Sequence, residues 1–131
     1  MNKVYITWNQ VNKLLDKIHE QAQHIDYVAG IPRGGIILAI LYSHRFGVPY
    51  MEHPSNHYPH LLILDDIADT GETLKKWKEE LHVPYYATLH YKRSSCIEPD
   101  FYGRKMIKED NWIVYPWERK DSKTIQNYLE N

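Results

Sequence analysis

Three aspartates and two threonines fall within nine residues at Asp65-Asp66-Ile67-Ala68-Asp69-Thr70-Gly71-Glu72-Thr73. Carboxylates accept hydrogen bonds from hydroxyls and hold hard cations such as Mg2+. Thr70 and Thr73 offer hydroxyl donors, and Gly71 lets the backbone come close to a ligand. If a helix begins here, its free backbone N–H groups and its dipole favour an anion, typically a phosphate. Acids for hydroxyls beside donors for a phosphate suit a sugar diol next to a phosphate group. An ordinary turn with a capping residue explains one of these acids, not all three.

The flanking residues supply the elements that would position this chemistry. Leu61-Leu62-Ile63-Leu64 is an unbroken apolar run, as expected of a strand buried on both faces. Leu74, Trp77 and Leu81 recur at spacings of three and four, which predicts a helix over 70–81. Asp65 and Asp66 then sit at the strand's carboxyl end, and 68–73 form the loop before the helix. That is where open α/β sheets bind ligands. A second unit of this kind lies upstream. Tyr27-Val28-Ala29-Gly30-Ile31 reads as a strand, Pro32-Arg33-Gly34-Gly35 as a loop, and 36–46 as a buried helix. Two glycines free backbone N–H groups there, and Arg33 adds a planar, permanently charged fork. Taken alone, this loop reads equally well as a tight turn with a surface arginine.

The rest of the chain reads as support, with two exceptions. Residues 4–6 suit a short strand or extended arm. Thr7 with Gln10 forms a capping box. Val11, Leu14, Leu15, Ile18, Ala22 and Ile25 then form one apolar stripe, with His19 and His24 directed to solvent. Residues 47–52 read as a second strand, with Pro49 at an edge or a strand start. The connection 53–60 contains His53, His57 and His60. A polar loop tip is the ordinary reading. A transition-metal site is the weaker one, because Pro54 and Pro59 prevent a helix from setting the spacing and no Cys or Asp joins them. Residues 84–91 suit a strand ending near Lys92-Arg93, and 94–105 read as irregular, with Pro99 and Gly103 as breakers. Residues 111–118 suit a strand and turn. Asp121 or Ser122 can cap a last helix carrying Ile125, Tyr128 and Leu129. In the last third, Lys92 at a strand end can donate to an exocyclic base oxygen and an aromatic beside it can stack on a purine. Otherwise Lys92 is a solvated charge and Trp112 and Trp117 are core, the reading preferred for Trp117.

Length and composition narrow the class. A chain of 131 residues suits one domain over 1–131 with a modest core. The formal net charge of −1 points to neither nucleic acid nor an anionic membrane. The lone Cys96 makes no internal disulfide and agrees with a reducing compartment. No apolar run is long enough to span a bilayer, and the amino end does not read as a signal peptide, so a cytoplasmic protein is expected. Eleven tyrosines and four tryptophans suit core and interface packing.

The 65–73 segment resembles the phosphoribosyl pyrophosphate motif of type I phosphoribosyltransferases. The resemblance extends to Pro32-Arg33-Gly34-Gly35, similar to that family's pyrophosphate loop. It extends also to Trp112-Ile113 and Pro116-Trp117-Glu118, which resemble the carboxyl-terminal hood of bacterial xanthine–guanine phosphoribosyltransferases. It implies an α/β fold: a parallel sheet flanked by helices, with a small hood from terminal segments, mainly about 92–120. It implies transfer of a phosphoribosyl group from phosphoribosyl pyrophosphate to a purine (guanine, xanthine or hypoxanthine), with release of pyrophosphate and with Mg2+ as cofactor. By resemblance, Asp65 and Asp66 contact the ribose hydroxyls, with Asp66 near the Mg2+ carried by the ligand. Ala68, Asp69, Thr70, Gly71, Glu72 and Thr73 wrap the 5′-phosphate. Arg33 and Gly34 hold the diphosphate in a loop that commonly has a cis peptide. Asp69 exchanges a proton with the base while Arg33 stabilises the leaving group. Lys92 meets the 6-oxygen, Trp112 stacks on the ring, and backbone at Ile113 reads the 2-substituent. The resemblance also implies a homodimer or homotetramer. The family's connection at 53–60 is a long loop that closes over the diphosphate. Here it is about eight residues and lacks lysine and arginine, leaving its histidines as candidates to reach the diphosphate. Two alternatives stay open at this point: binding of a phosphoribosyl ligand or nucleotide without turnover, and an acceptor other than a purine.

Overall fold

A computed structural model describes residues 2–106 and 111–121. In chain order the elements are β1 (Asn2–Tyr5), α1 (Trp8–Gln21), β2 (Tyr27–Gly30), α2 (Gly34–Phe46), β3 (Leu61–Ala68), α3 (Glu72–Glu80), β4 (Tyr85–Lys92), β5 (Phe101–Met106) and β6 (Asn111–Val114). The main sheet has the order β2-β3-β4-β5 and all its pairings are parallel. A separate two-stranded parallel ribbon joins β1 to β6, with Lys3 opposite Trp112. This ribbon is the hood. It joins a strand near the amino end to one within 92–120.

The aliphatic run is buried on both faces, as its composition requires. Leu62 and Leu64 enter the core under α1 and α2, while Leu61 and Ile63 enter the core under α3. Each such side chain contributes roughly 1.5–3 kcal/mol by leaving water. Helix α1 starts at the expected capping box: Thr7 Oγ1 accepts from Gln10 N–H at 3.1 Å and Gln10 Oε1 accepts from Thr7 N–H at 2.8 Å. Val11, Leu14, Leu15 and Ile18 are its buried face. His24 is exposed. His19 is exposed but not idle: its ring stacks on Phe46 at 3.9 Å and its Nδ1 lies 2.7 Å from the Tyr42 hydroxyl.

Two readings of the chain are corrected. Residues 47–52 are not a strand: Tyr50 alone bridges Val28, in parallel. Pro49 has no N–H to give a ladder, so pairing does not propagate. Residues 101–106, read as irregular, form β5 along the edge of β4. Gly103 marks a close approach there, not a break. A Cβ on it would stand 2.8 Å from the Leu89 carbonyl and 2.9 Å from Leu14 of α1. The expected last helix lies outside the described residues.

This topology creates the ligand crevice. The Tyr50 segment bridges β2, which on its sheet side pairs with β3. Helix α2 thus leads away from β2 in one direction and α3 leads away from β3 in the other. Leu38, Ala39 and Tyr42 of α2 pack on one face of the sheet, and Leu74 of α3 on the opposite one. The carboxyl ends of β2 and β3 therefore flank a topological switch point, where α/β sheets hold ligands.

Asn56 and His60 of the 53–60 connection lie at the other end of the sheet, away from the diphosphate that its histidines were candidates to reach. Asp26, just before β2, donates its N–H to the His60 carbonyl at 2.9 Å. Asn56 donates to the Glu80 carbonyl and accepts from Val83 N–H, both at 3.1 Å, between the end of α3 and the start of β4. All these partners sit at the amino ends of the strands. Among the described residues no three His, Cys, Asp or Glu side chains gather as a metal would require. Asn56→Ala is therefore expected to lose about 1 kcal/mol, or about 4 °C in Tm. Replacing His53, His57 and His60 together by Ala is expected to leave use of phosphoribosyl pyrophosphate unchanged. Melting curves and steady-state kinetics check both; impaired substrate use in the triple variant would return this segment to the ligand.

Candidate active site

The last residues of β3 carry the acids. The strand runs on through both aspartates to Ala68, so the loop shrinks to 69–71. Each carboxylate folds back on the next peptide: Asp65 Oδ1 accepts from Asp66 N–H at 2.9 Å and Asp66 Oδ1 from Ile67 N–H at 2.8 Å. These bonds orient the pair without fully offsetting its burial. Burial pushes the Asp65 carboxyl well above the usual range, with the charge of Asp66 adding to it. Burial, then the charge of Glu118, raises Asp66 to about 6. Such a pair gains from a nearby cation. Mg2+ commonly takes one or two carboxylates and completes its shell with substrate oxygens, and Asp65 and Asp66 fit that demand.

The upstream loop is pressed against these acids. The Pro32–Arg33 peptide is cis, and α2 begins at Gly34. Ile31 N–H donates to the Leu64 carbonyl at 2.9 Å. A Cβ on Gly35 would overlap that same carbonyl, and one on Gly34 would overlap the Asp66 carboxylate. Gly35 is required because the loop and β3 approach backbone to backbone there, and Gly34 leaves room for the Asp66 side chain. Arg33 is close enough to Glu118 for its charge to draw the Glu118 carboxyl down against the upward push of burial.

The downstream loop opens α3. Gly71 has φ +85°, and the Thr70 hydroxyl accepts from Glu72 N–H at 3.3 Å. The loop is braced from behind by Ser95 and Cys96: Cys96 N–H donates to the Thr70 carbonyl at 2.8 Å, and a Cβ on Gly71 would meet both residues. Thr73 is half-buried in the first turn of the helix and Glu72 is exposed. The loop's backbone N–H groups and the start of α3 form an anion-ready concavity.

The third group lies at the end of β4. Lys92 is buried, yet its ammonium lies 3.1 Å from a carboxylate oxygen of Asp69 and 6.0 Å from the centre of the Trp112 ring. The indole N–H of Trp112 has no hydrogen-bond partner among the described residues. Ile113 faces the core and leaves only its backbone for a ligand. The structure thus brings Gly34 against Asp66 and Lys92 against Asp69 and near Trp112, at the carboxyl ends of β2, β3 and β4.

Several residues here escaped the sequence reading. Tyr115 stacks on Trp117 with centroids 5.0 Å apart, and its hydroxyl donates to the Asp66 carbonyl at 3.0 Å. Trp117 packs partly into the core, as its aromatic character suggested, but its Nε1 also borders Gly34. The Glu118 carboxylate accepts from Tyr115 N–H at 2.8 Å. His90 lies under the same turn and is held neutral: burial, with Arg104 nearby, lowers it to about 4. The only available signal was the Tyr-Pro-Trp-Glu turn immediately after a strand.

No family model matches the chain. The xanthine-guanine phosphoribosyltransferase of Nitratidesulfovibrio vulgaris is 25% identical over 137 aligned positions, covering 86% of this chain and 83% of that protein. That of Chromohalobacter salexigens is 25% identical over 134, covering 86% and 82%. The crystal structure of a purine phosphoribosyltransferase from Pyrococcus horikoshii superposes with a TM-score of 0.78 at 28% identity, covering 94% of this chain and 98% of that one. The chain has the type I phosphoribosyltransferase fold and resembles the xanthine–guanine group in sequence.

The elevated Asp66 carboxyl has a measurable consequence. Unfolded, it titrates near its ordinary value of 3.8; folded, near 6. Between those values the folded chain holds a proton that the unfolded chain has lost, so this group's contribution to stability falls as pH rises and stays reduced above 6. Asp66→Asn is expected to gain stability on the order of 2 kcal/mol at pH 7 while losing ligand affinity. His90 slopes the other way between its ordinary value of 6.5 and about 4, but it is common to both proteins and cancels in the comparison. Melting curves from pH 4 to 8 test this; an Asn variant less stable than the parent at pH 7 would contradict it.

Proposed function

We propose that this chain is a pentosyltransferase that moves the phosphoribosyl group of phosphoribosyl pyrophosphate to a 6-oxopurine and releases pyrophosphate. One observation carries the base assignment: the Lys92–Asp69 pair at 3.1 Å beside the Trp112 ring. The 6-oxygen and N7 of an oxopurine share one edge of the base. A cation beside a carboxylate matches that edge, the ammonium for the oxygen and the carboxylate for an imidazole N–H. A 6-amino group would instead present donors to Lys92. The aromatic face of Trp112 supplies a stacking surface.

The other residues take their roles from position. Backbone N–H groups of 69–73 bind the 5′-phosphate, aided by Thr70 and Thr73. Asp65 and Asp66 accept the ribose hydroxyls. Arg33 and the Gly34 backbone hold the diphosphate. Fixed at both ends, the ribose presents its anomeric carbon to the base nitrogen. As the bond to the diphosphate breaks, charge gathers on the leaving group near Arg33, and the carboxylates of Asp65 and Asp66 face the cationic sugar. Asp69 takes the imidazole proton. Bound Mg2+ would neutralise charge on the diphosphate from the side of Asp65 and Asp66. We further place the protein in the cytoplasm as a homodimer or homotetramer; no helix among the described residues is long and apolar enough to cross a membrane.

Binding without turnover is the second reading. The 53–60 connection favours it, because it stays at the amino ends of the strands and leaves the diphosphate side to other residues. A screen of free bases with phosphoribosyl pyrophosphate and Mg2+ separates the two. Product is expected with guanine, xanthine or hypoxanthine, and about a hundredfold less efficiently with adenine. Absence of product with every base would favour the binding reading. In the active protein, Asp69→Asn is expected to lower kcat and kcat/KM together by about a hundredfold with little change in phosphoribosyl pyrophosphate binding. Near-normal kcat would remove Asp69 from the catalytic residues and leave it as the ion-pair partner of Lys92.

A further inference from the structure

Among the described residues, a buried polar node joins the hood to the sheet. Strand β2 pairs only as far as Gly30, opposite Leu64, so β3 runs on past it without a strand on that side. The pairing of β3 with β4 goes from Asp65 opposite Thr88 to Ile67 opposite His90 and skips Asp66. The Asp66 carbonyl therefore needs a partner from outside the sheet. Tyr115, the residue directly after β6, provides it at 3.0 Å. The same hydroxyl lies 2.8 Å from His90 Nδ1. A phenol has one proton, and here it goes to the carbonyl. His90 must then donate its Nδ1–H to the phenol oxygen. Tyr115 and His90 are both almost wholly buried. Beside the node, a cavity of about 510 Å³ bordered by His90 separates Val4, Asn111 and Ile113 of the hood from Arg104 and Met106 of β5.

We propose that Tyr115 is a positioning residue: its hydroxyl, oriented by His90, locks the base-reading hood to the strand end that carries the ribose acids. The proposal rests on the phosphoribosyl-transfer reading above. Trp112 lies three residues before Tyr115 and Lys92 two after His90, so Lys92, which pairs with Asp69, and Trp112, whose ring lies near Lys92, both hang from this node. Asp66 supplies the other side through its own carbonyl. The node sets the span between the base subsite and the ribose subsite. A nucleotide that bridges them binds better than its base-free part because the span is preset, which raises the effective concentration of one end once the other is bound.

The test compares binding of a nucleoside monophosphate with binding of ribose 5-phosphate, by calorimetry. GMP, XMP and IMP are tried on the parent and the tightest is used. In Tyr115→Phe the advantage of the nucleotide over ribose 5-phosphate is expected to shrink about tenfold, while ribose 5-phosphate itself binds nearly as before. His90→Leu removes the orienting donor and should shrink the advantage in the same direction. His90→Asn, whose amide can donate from the place of Nδ1, should restore it. If Tyr115→Phe does not fold, the two His90 variants carry the comparison. A merely structural role would lower Tm and leave the ratio of affinities unchanged in the folded protein; that result overturns the proposal. A parent that binds no monophosphate better than ribose 5-phosphate overturns the base assignment first, and this inference with it.

Discussion

Two carboxylates set side by side at the buried end of a strand are the constraint from which the rest of the structure follows. An uncompensated buried charge is strongly unfavourable, and two of like sign are worse. The protein relieves part of this locally, by returning each carboxylate to the next backbone N–H. The remainder appears as elevated pKa values, with Asp66 at about 6. A fold that keeps such a pair is stabilised by a ligand that brings hydroxyls and a cation. In the proposed reading the acids are a binding device held at the expense of the empty protein's stability.

Holding them requires a backbone approach that only glycine allows. Gly35 packs on the Leu64 carbonyl and Gly34 on the Asp66 carboxylate, so the loop after β2 and the end of β3 form one surface. Opposite them the loop 69–71 is braced by Ser95 and Cys96 rather than left to solvent. Both ligand loops are therefore supported by other chain segments, which limits the entropy a bound substrate must remove.

In the proposed phosphoribosyl-transfer reading, the Lys92–Asp69 pair beside Trp112 of the hood is what tells one acceptor from another. Lys92 is buried and paired with Asp69. Because the pair combines one donor group and one acceptor, it tests the pattern of the incoming edge rather than its size. Discrimination of this kind is stronger than discrimination by apolar fit, since a mismatch leaves buried polar groups unpaired. The three aromatic residues of the last strand and turn divide the work: Trp112 near Lys92, Tyr115 at the Asp66 carbonyl, and Trp117 against Tyr115 and Gly34.

Local features were legible in the sequence. The apolar run 61–64, the capping box at Thr7, and the strand–loop–helix units around Arg33 and Asp69 each follow from short-range rules of periodicity, capping and turn chemistry. The motif at 65–73 was readable because its chemistry is contiguous. What the sequence left open depended on partners far apart in the chain. Residues 47–52 had strand composition but lacked a ladder, and 101–106 had a breaker composition but gained one from β4. The direction of the 53–60 connection was hidden because a short His- and Pro-rich segment carries no sign of which end of the sheet it joins; Asn56 is held there by the end of α3. Tyr115 read as an ordinary residue between strand and turn, and Trp117 as core. Their roles arise only when β6 lies beside β1 and the turn after it descends onto Asp66, because hydrogen bonds and charge act over a few ångströms of space, not over a separation of 49 positions in the chain.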